Sequence, residues 1–329
     1  MAAQRFPLHF DGIVAGDPNF KLTRLAMNQV WNIQTVAAIA PRNEDGRPIL
    51  SRAFSVPQLE AAAEAILARC DDLDGLADRM INDSRACDFD PGELACSENP
   101  TDTCMTDEQV DALRKLYRGP VDRDGNPLYG RFVYDTGIAH PTWRRMRMGD
   151  ATDGTWDAAD VVLGFETLRR YSLTRPDPDF DPMMFDFDAD LARTEEMRAL
   201  GDADATYLQT FRDHGKMIVY HGNSDQGMAS GAVTDWYDAV VADNGDGVTD
   251  AVRLFLVPGM THCSGGQATD QFDLLTAVQA WVEDGQPPER IVATGESFPG
   301  ASRPLCPYPN VARYEGGDPN AHESFVCQP

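Results

Sequence analysis

The sequence predicts an α/β fold, in which helices cover a parallel sheet, and two observations support this prediction. Two short, nearly continuous apolar runs, KMIVY at 216–220 and VRLFLV at 252–257, are typical of strands buried on both faces of a parallel sheet. Helical patterns alternate with these runs, at about 231–242 and again at 270–284, before a closing Gly285. Because strand and helix alternate, residues 211–329 are predicted to belong to one α/β layer.

Residues 1–21 are predicted to form a further part of this α/β layer, and a large insertion is predicted to follow them. The opening sequence is typical of a helix end, a turn and a short strand at 12–15. From 22 to about 210 the chain is irregular and rich in Asp, Pro and Arg. Apolar residues recur with helical spacing over 58–69, and Thr106 with Gln109 predicts the capping box of another helix. We therefore expect residues 22–210 to form an inserted domain with scattered helices.

The composition argues against two classes of partner. The chain has 28 Lys and Arg against 53 Asp and Glu, a formal net charge of −25, which repels phosphate backbones and anionic lipids. No apolar run approaches the roughly 18 residues of a transmembrane helix. We expect neither a nucleic acid nor a membrane as partner.

Seven cysteines, at positions 70, 87, 96, 104, 263, 306 and 327, bear on the cellular compartment. None lies in a C-x-x-C metal pattern, and four fall within a turn-rich stretch, which favours the disulfides of an oxidising compartment over buried free thiols. The odd count leaves one cysteine without a partner, and the N-terminus lacks a signal-peptide pattern. Both features would follow if an N-terminal part were missing.

Two loops carry the candidate catalytic residues. Asp225 follows the first apolar run in HGNSDQG, and His262 follows the second in PGMTHC. Functional residues of open α/β sheets lie beyond the carboxyl ends of the strands. An Asp followed by a His fits the Ser…Asp…His order of α/β-hydrolases, in which the His is general base and the Asp orients it. The alternative is a structural His at a strand end and an Asp in a turn.

The nucleophile is the difficulty, because no G-x-S-x-G motif occurs. Ser224 comes nearest, but Gly227 lies one residue too far along, and Ser224 is adjacent to Asp225. Ser264 is only two residues from His262, which is a poor position for presenting its oxygen to that ring.

Longer motifs resemble a known family. The segment RLFLVPGMTHCSGG, followed by FDLLTAVQAWVEDGQPPERIVA, RPLCPYP and SFVCQP, closely resembles the tannase and feruloyl esterase family of α/β-hydrolases. Upstream, CDDLDGLADRMI, CDFDPGELAC and HFDGIVAGDP resemble the same family. The resemblance implies a secreted or periplasmic hydrolase of aromatic carboxylic esters. It also implies that the chain is the C-terminal half of an α/β-hydrolase fold with a lid at 22–210, truncated before the nucleophile serine and therefore inactive alone.

The same resemblance assigns the cysteines and a metal. It pairs Cys70 with Cys87, Cys96 with Cys104 and Cys306 with Cys327, and it pairs Cys263 with a cysteine in the missing N-terminal part. It also assigns a structural Ca²⁺ to the acidic lid loop, held by Asp71, Asp74 and Asp78 with the carbonyls of Leu76 and Met80. Arg79 stands where a glycine is common. Clustered carboxylates suit Ca²⁺, although a solvated acidic turn is the alternative.

Two other functions stay open at this point. The chain could be a non-catalytic remnant that binds calcium or another ligand, or it could be one chain of a split esterase. The acid, the alcohol and the oligomeric state are not encoded in any pattern that we recognise.

Overall fold

The computed structural model describes residues 1–98 and 100–329, without the side chain of residue 246. Its α-helices are α1 (Ala2–Arg5), α2 (Leu22–Ile39), α3 (Val56–Cys70), α4 (Asp107–Arg118), α5 (Pro141–Arg147), α6 (Glu195–Gly201), α7 (Gln209–Arg212), α8 (Ser230–Asn244) and α9 (Leu274–Asp284). Its strands are β1 (Gly12–Gly16), β2 (Lys216–Gly222), β3 (Val252–Val257), β4 (Ile291–Thr294), β5 (Ser302–Leu305), β6 (Val311–Tyr314) and β7 (Phe325–Gln328).

A three-stranded parallel sheet, in the order β1-β2-β3, forms the centre of the α/β layer. On one face α8 contributes Val233, Trp236 and Val240 to an apolar cluster with the sheet. On the other face α9 contributes Val278 and Trp281 to a second cluster. Both apolar runs are thus buried on both faces, which confirms the α/β prediction.

The C-terminal part contains two antiparallel strand pairs, β4–β5 and β6–β7, that the sequence analysis did not predict. Each strand has only four residues, too few for a clear alternation of apolar and polar side chains. The predicted helix at 270–284 begins later, at Leu274, because Asp273 caps it with an acceptor for the Thr276 N–H.

The inserted segment, residues 22–210, has its own apolar cluster, whose buried members lie between Met27 and Phe187. At its centre is α2, a helix of 18 residues that the sequence analysis missed. Asn28, Gln29 and Asn32 are buried on α2, so polar residues interrupt the apolar stripe from which a helix is recognised. Near the end of the segment, Leu208 packs instead with the apolar cluster formed by the sheet and α8.

Local predictions inside the segment are confirmed. α3 begins at a capping box formed by Ser55 and Gln58, and α4 begins at the one predicted from Thr106 and Gln109.

The three predicted disulfides, Cys70–Cys87, Cys96–Cys104 and Cys306–Cys327, are all present, and Cys263 is free and exposed. Within the part of the chain described, no helix is long and apolar enough to cross a membrane.

Candidate active site

The loops after β2 and β3 bring the two predicted catalytic residues together. The strands are parallel neighbours, so their carboxyl ends lie at one edge of the sheet. Asp225 lies three residues beyond β2 and His262 five residues beyond β3. His262 Nδ1 and Asp225 Oδ2 are 2.9 Å apart. The pairing predicted from strand order and spacing is therefore present in the fold.

Asp225 is held in place by its own loop. Its side chain is excluded from solvent, and its Oδ1 accepts the backbone N–H groups of Gly227 and Met228. Burial disfavours the charged form, but the hydrogen bond from His262, the nearby His221 and the Met228 N–H together lower the pKa of Asp225. The carboxylate therefore stays ionised where it faces the imidazole.

His262 has the exposure and the polarity expected of a general base. Its side chain is 43% exposed, and the hydrogen bond to Asp225 raises its pKa against the opposing effect of burial. Because a carboxylate can only accept, Nδ1 is assigned as the donor in this bond. Nε2 is then left as a proton acceptor, the state that a general base requires.

Neither candidate serine is a partner of His262. Ser224 Oγ donates to Asp135 Oδ2 at 2.5 Å, so this hydroxyl faces the inserted segment. Ser264 bonds through its backbone carbonyl, which accepts from Thr261. Among the residues that the structure describes, no hydroxyl lies within hydrogen-bond distance of His262 Nε2. The two reservations about these serines in the sequence analysis agree with this geometry.

Asp17 and His221 also belong to this edge, and the sequence analysis assigned neither of them to the active site. Asp17 directly follows β1, and His221 is the last residue but one of β2. Both side chains are fully excluded from solvent, and His221 Nδ1 lies 3.2 Å from Asp17 Oδ1. The rule that located Asp225 and His262 would have located Asp17, had it been applied to the first strand.

Asp17 also takes part in two convergent groups of potential metal ligands. One contains His262 and Cys263, and the other contains His221 and Asp225. The ligand atoms of each group lie within 4.8 Å of one another. Both Asp17 oxygens already accept backbone N–H groups, from Gly222 and Cys263, so we read these groups as hydrogen-bonded networks.

In the acidic loop at 71–80, the carboxylates of Asp71, Asp74 and Asp78 lie close enough to interact electrostatically. Asp74 is buried, and burial raises its pKa to about 6, with Asp78 and Asp71 adding like-charge repulsion. Protein donors already reach these groups: Asn82 donates to Asp74, Arg303 to Asp78, and the Arg79 N–H to Asp71. Arg79 has a φ of +73°, so the position that favours glycine is strained here, as expected.

The backbone N–H groups of Leu76 and Met80 donate to Asp74 and Asp78, which shows how the loop turns. The three carboxylates are not among the convergent ligand groups found in the described residues. The structure therefore brings the predicted calcium ligands near one another without closing them into a cage.

Comparisons with known proteins agree with the motifs. Residues 1–328 match the family described as tannase and feruloyl esterase. The chain is 38% identical to mono(2-hydroxyethyl) terephthalate hydrolase of Piscinibacter sakaiensis, over 99% of the chain and 61% of that protein. It is 29% identical to a probable feruloyl esterase of Arthroderma benhamiae, over 99% of the chain and 60% of that protein.

Solved structures share the fold. Feruloyl esterase B from Aspergillus oryzae superimposes with a TM-score of 0.80 at 22% identity, over 99% of this chain and 65% of that one. Tannin acyl hydrolase from Aspergillus niger gives a TM-score of 0.71 at 18% identity, over 100% of this chain and 61% of that one. The chain thus spans about three fifths of the length of these relatives.

Proposed function

Because the chain belongs to the tannase and feruloyl esterase family, we propose that the protein containing it hydrolyses carboxylic esters of aromatic acids through a serine, a histidine and an aspartate. The observation that carries the proposal is the 2.9 Å contact between His262 Nδ1 and Asp225 Oδ2. It stands at the strand ends where α/β folds place their catalytic groups. The names of the relatives, which include hydrolases of terephthalate and ferulate esters, support the aromatic acid.

In the proposed reaction, His262 Nε2 takes the proton of the serine hydroxyl as the serine oxygen attacks the ester carbonyl. The carbonyl–alkoxy bond then breaks, and His262 returns the proton to the departing alcohol. Water releases the acyl group in a second step of the same kind. Asp225 stays ionised throughout, holds the ring with Nδ1 as donor and stabilises the imidazolium.

The serine is proposed to lie outside these 329 residues. Ser224 is engaged with Asp135, and no hydroxyl of the described residues meets His262. The 329 residues by themselves then provide the general base and its orienting carboxylate but no nucleophile. We therefore expect that the isolated chain does not hydrolyse esters.

Methyl ferulate hydrolysis, followed as ferulate release by chromatography, tests the assignment in the protein that contains this chain. His262→Ala should lower kcat by roughly 10⁴-fold or more. Ser224→Ala tests the rival nucleophile and should leave kcat within about threefold. The matched control is His214→Ala, which removes an exposed histidine before β2. Loss of activity in Ser224→Ala with full activity in His262→Ala would refute the proposal.

We also propose that the loop at 71–80 binds a structural Ca²⁺ through Asp71, Asp74 and Asp78, with the carbonyls of Leu76 and Met80. A buried carboxylate whose pKa burial raises to about 6, beside two further carboxylates, is costly to ionise. A bound divalent cation would offset that cost and brace the loop between α3 and the C-terminal strands.

Calcium binding is testable without any measurement of activity. Adding Ca²⁺ at about 100 times its dissociation constant should stabilise the fold by about 2.7 kcal/mol, read as a rise in melting temperature over an EDTA-treated sample. Asp74→Ala should abolish the calcium-dependent rise, and Asp72→Asn, at an exposed neighbour, should keep it. An equal rise in both variants would rule out this site.

The compartment and the free cysteine complete the proposal. Three disulfides fit a secreted or periplasmic protein. Cys263, free and exposed beside His262, is proposed to form a disulfide with a cysteine outside these residues. A mass-spectrometric map of the protein from its source, in which Cys263 is found only as a free thiol, would contradict that pairing.

A further inference from the structure

Asp17 connects the ends of all three strands of the parallel sheet. It directly follows β1, its Oδ1 accepts the N–H of Gly222 at 2.7 Å, and its Oδ2 accepts the N–H of Cys263 at 2.7 Å. Gly222 is the last residue of β2, three before Asp225, and Cys263 comes directly after His262. The Asp17 carboxylate therefore binds both the loop that carries Asp225 and the loop that carries His262.

We propose that Asp17 is a positioning residue that sets the relative placement of Asp225 and His262; the inference rests on the function proposed above. Asp17 does not touch His262 through a hydrogen bond, so its effect passes through the backbone of the two loops. Hydrogen bonds from N–H groups to a charged acceptor are about twice as strong as neutral ones. Two of them on one side chain that is excluded from solvent make a rigid clamp.

The backbone of the His262 loop needs this clamp. Cys263 has a φ of +65°, a left-handed conformation that is unfavourable for a residue with a Cβ atom. The loop is at the surface, where Cys263 is exposed. The bond from the Cys263 N–H to Asp17 offsets the strain and fixes the residue adjacent to the base. Without this hydrogen bond, the backbone that carries the His262 side chain would be less firmly held.

His221 accounts for the remaining contact of Asp17. His221 Nε2 lies 3.0 Å from the carbonyl oxygen of Met228, and a carbonyl can only accept, so Nε2 carries a proton. Nδ1 faces Asp17 Oδ1 at 3.2 Å. The contact is an approach of the two side chains without a hydrogen bond at Nδ1. His221 therefore packs against the clamp, which consists of the two bonds to Gly222 and Cys263.

Electrostatics gives this clamp a signature that a purely structural role would not have. The groups that face His262 are Asp225 from the β2 loop, Asp17 from the end of β1, and the neighbouring Cys263 thiol, with His221 behind the two carboxylates. Asp17 is the second carboxylate, after Asp225, that raises the pKa of His262. Removing its charge should lower the pKa of His262, even when the fold and Asp225 are intact.

The first experiment uses NMR on the protein that contains this chain. In the wild type, the amide protons of Gly222 and Cys263 should be protected from exchange with deuterium, although Cys263 lies on an exposed loop. In Asp17→Asn, one acceptor oxygen becomes an N–H donor, so protection of at least one of these amides should be lost. The pKa of His262 should fall, because the charge of Asp17 no longer favours the imidazolium. Asp11→Asn, at an exposed residue before the same strand, is the control and should change neither.

The second experiment uses the esterase that contains this chain. Asp17→Asn should lower kcat for methyl ferulate by about 10- to 100-fold, with KM within about twofold. The acid limb of the kcat profile should move to lower pH, because the base stays unprotonated at lower pH when its pKa falls.

The outcomes separate the two proposals. A wild-type protein without esterase activity would end the proposed function, while the NMR experiment would still decide the role of Asp17. Rapid exchange of the Cys263 amide in the wild type would overturn the clamp, whether or not Asp17→Asn folds. An unchanged pKa of His262 in a folded Asp17→Asn would overturn it equally.

Discussion

Asp225 and Asp160 are both buried carboxylates, and they lie in the two contrasting regions of the molecule. Asp225 follows β2, and Asp160 lies in the inserted segment; neither side chain reaches solvent, and each has a basic partner, His262 at 2.9 Å and Arg147 at 3.1 Å. Yet the pKa of Asp225 is lowered, whereas burial raises the pKa of Asp160 to about 6. Burial alone therefore does not decide the direction in which the pKa of a carboxyl shifts.

The difference comes from the number and placement of donors. Asp225 receives two backbone N–H groups on Oδ1 and His262 on Oδ2, so both oxygens are satisfied. The donors from Arg147 and Asn32 both reach Oδ2 of Asp160. A loop at a strand end supplies backbone N–H donors to Asp225, whereas the donors that reach Asp160 come from side chains. This contrast predicts which substitutions affect activity and which affect stability.

The largest expected effect is on activity. Asp225→Asn should lower kcat for methyl ferulate by roughly 10⁴-fold, because the amide would favour the wrong tautomer of His262. The melting temperature should change little, since the asparagine oxygen can still accept the Gly227 and Met228 N–H groups. Steady-state kinetics and thermal unfolding of the same sample provide the comparison. A variant that keeps a tenth of the activity would place the orienting carboxylate elsewhere.

The same substitution in the inserted segment should have the opposite result. Asp160→Asn leaves Arg147, 1% exposed, as a buried charge without a countercharge, which should cost about 3–5 kcal/mol of the free energy of unfolding. Urea unfolding measures this loss, and kcat per folded molecule should stay near that of the wild type.

Two controls sharpen this second prediction. Arg147→Met combined with Asp160→Leu removes both charges and should recover most of the loss. Asp90→Asn breaks the exposed pair with Arg114 and should have no measurable effect. If the buried and exposed single variants unfold at the same urea concentration, the contrast between the pairs is wrong.

The disulfides allow a further comparison between the two regions, in which the expected effect on stability is intermediate. Cys70–Cys87 in the inserted segment and Cys306–Cys327 in the C-terminal part close loops of similar length, with separations of 17 and 21 residues. Replacing either pair by serines should therefore cost about 3 kcal/mol. Cys96–Cys104, with a separation of 8, should cost less. A much larger cost for Cys306–Cys327 in guanidinium unfolding would show that it holds more than its own loop.

The smallest expected effect concerns Asp135, where the inserted segment meets the β2 loop through Ser224. Burial raises the pKa of Asp135 to about 6, above its unfolded value of 3.8. Its contribution to stability is therefore full below about pH 4 and is lost as the pH rises through 6. Asp135→Asn should remove on the order of 2 kcal/mol of the fall in stability between pH 4 and 7. Asp153→Asn, at an exposed carboxylate, should leave the full slope.

Much of the active site could be predicted from local sequence. Apolar runs locate β2 and β3, because strands buried on both faces need continuous apolar residues. The next loops then locate Asp225 and His262. The same reasoning failed for α2, whose Asn28, Gln29 and Asn32 look polar in sequence although they are buried inside the segment. It also failed for β4–β7, which are short and gain their stability from pairing.

The sequence by itself determined the α/β layer, the helix caps, the order of Asp225 and His262 and, through family motifs, the disulfide pairing, because each depends on neighbours in the chain or on a recognised motif. Tertiary structure alone decided that Ser224 faces Asp135, that Asp17 joins the two loops, and that the pKa of Asp160 is raised while that of Asp225 is lowered. Those outcomes depend on donors from residues distant in the chain, such as Cys263 for Asp17, which are separated by 246 positions. No local pattern encodes a contact of that kind.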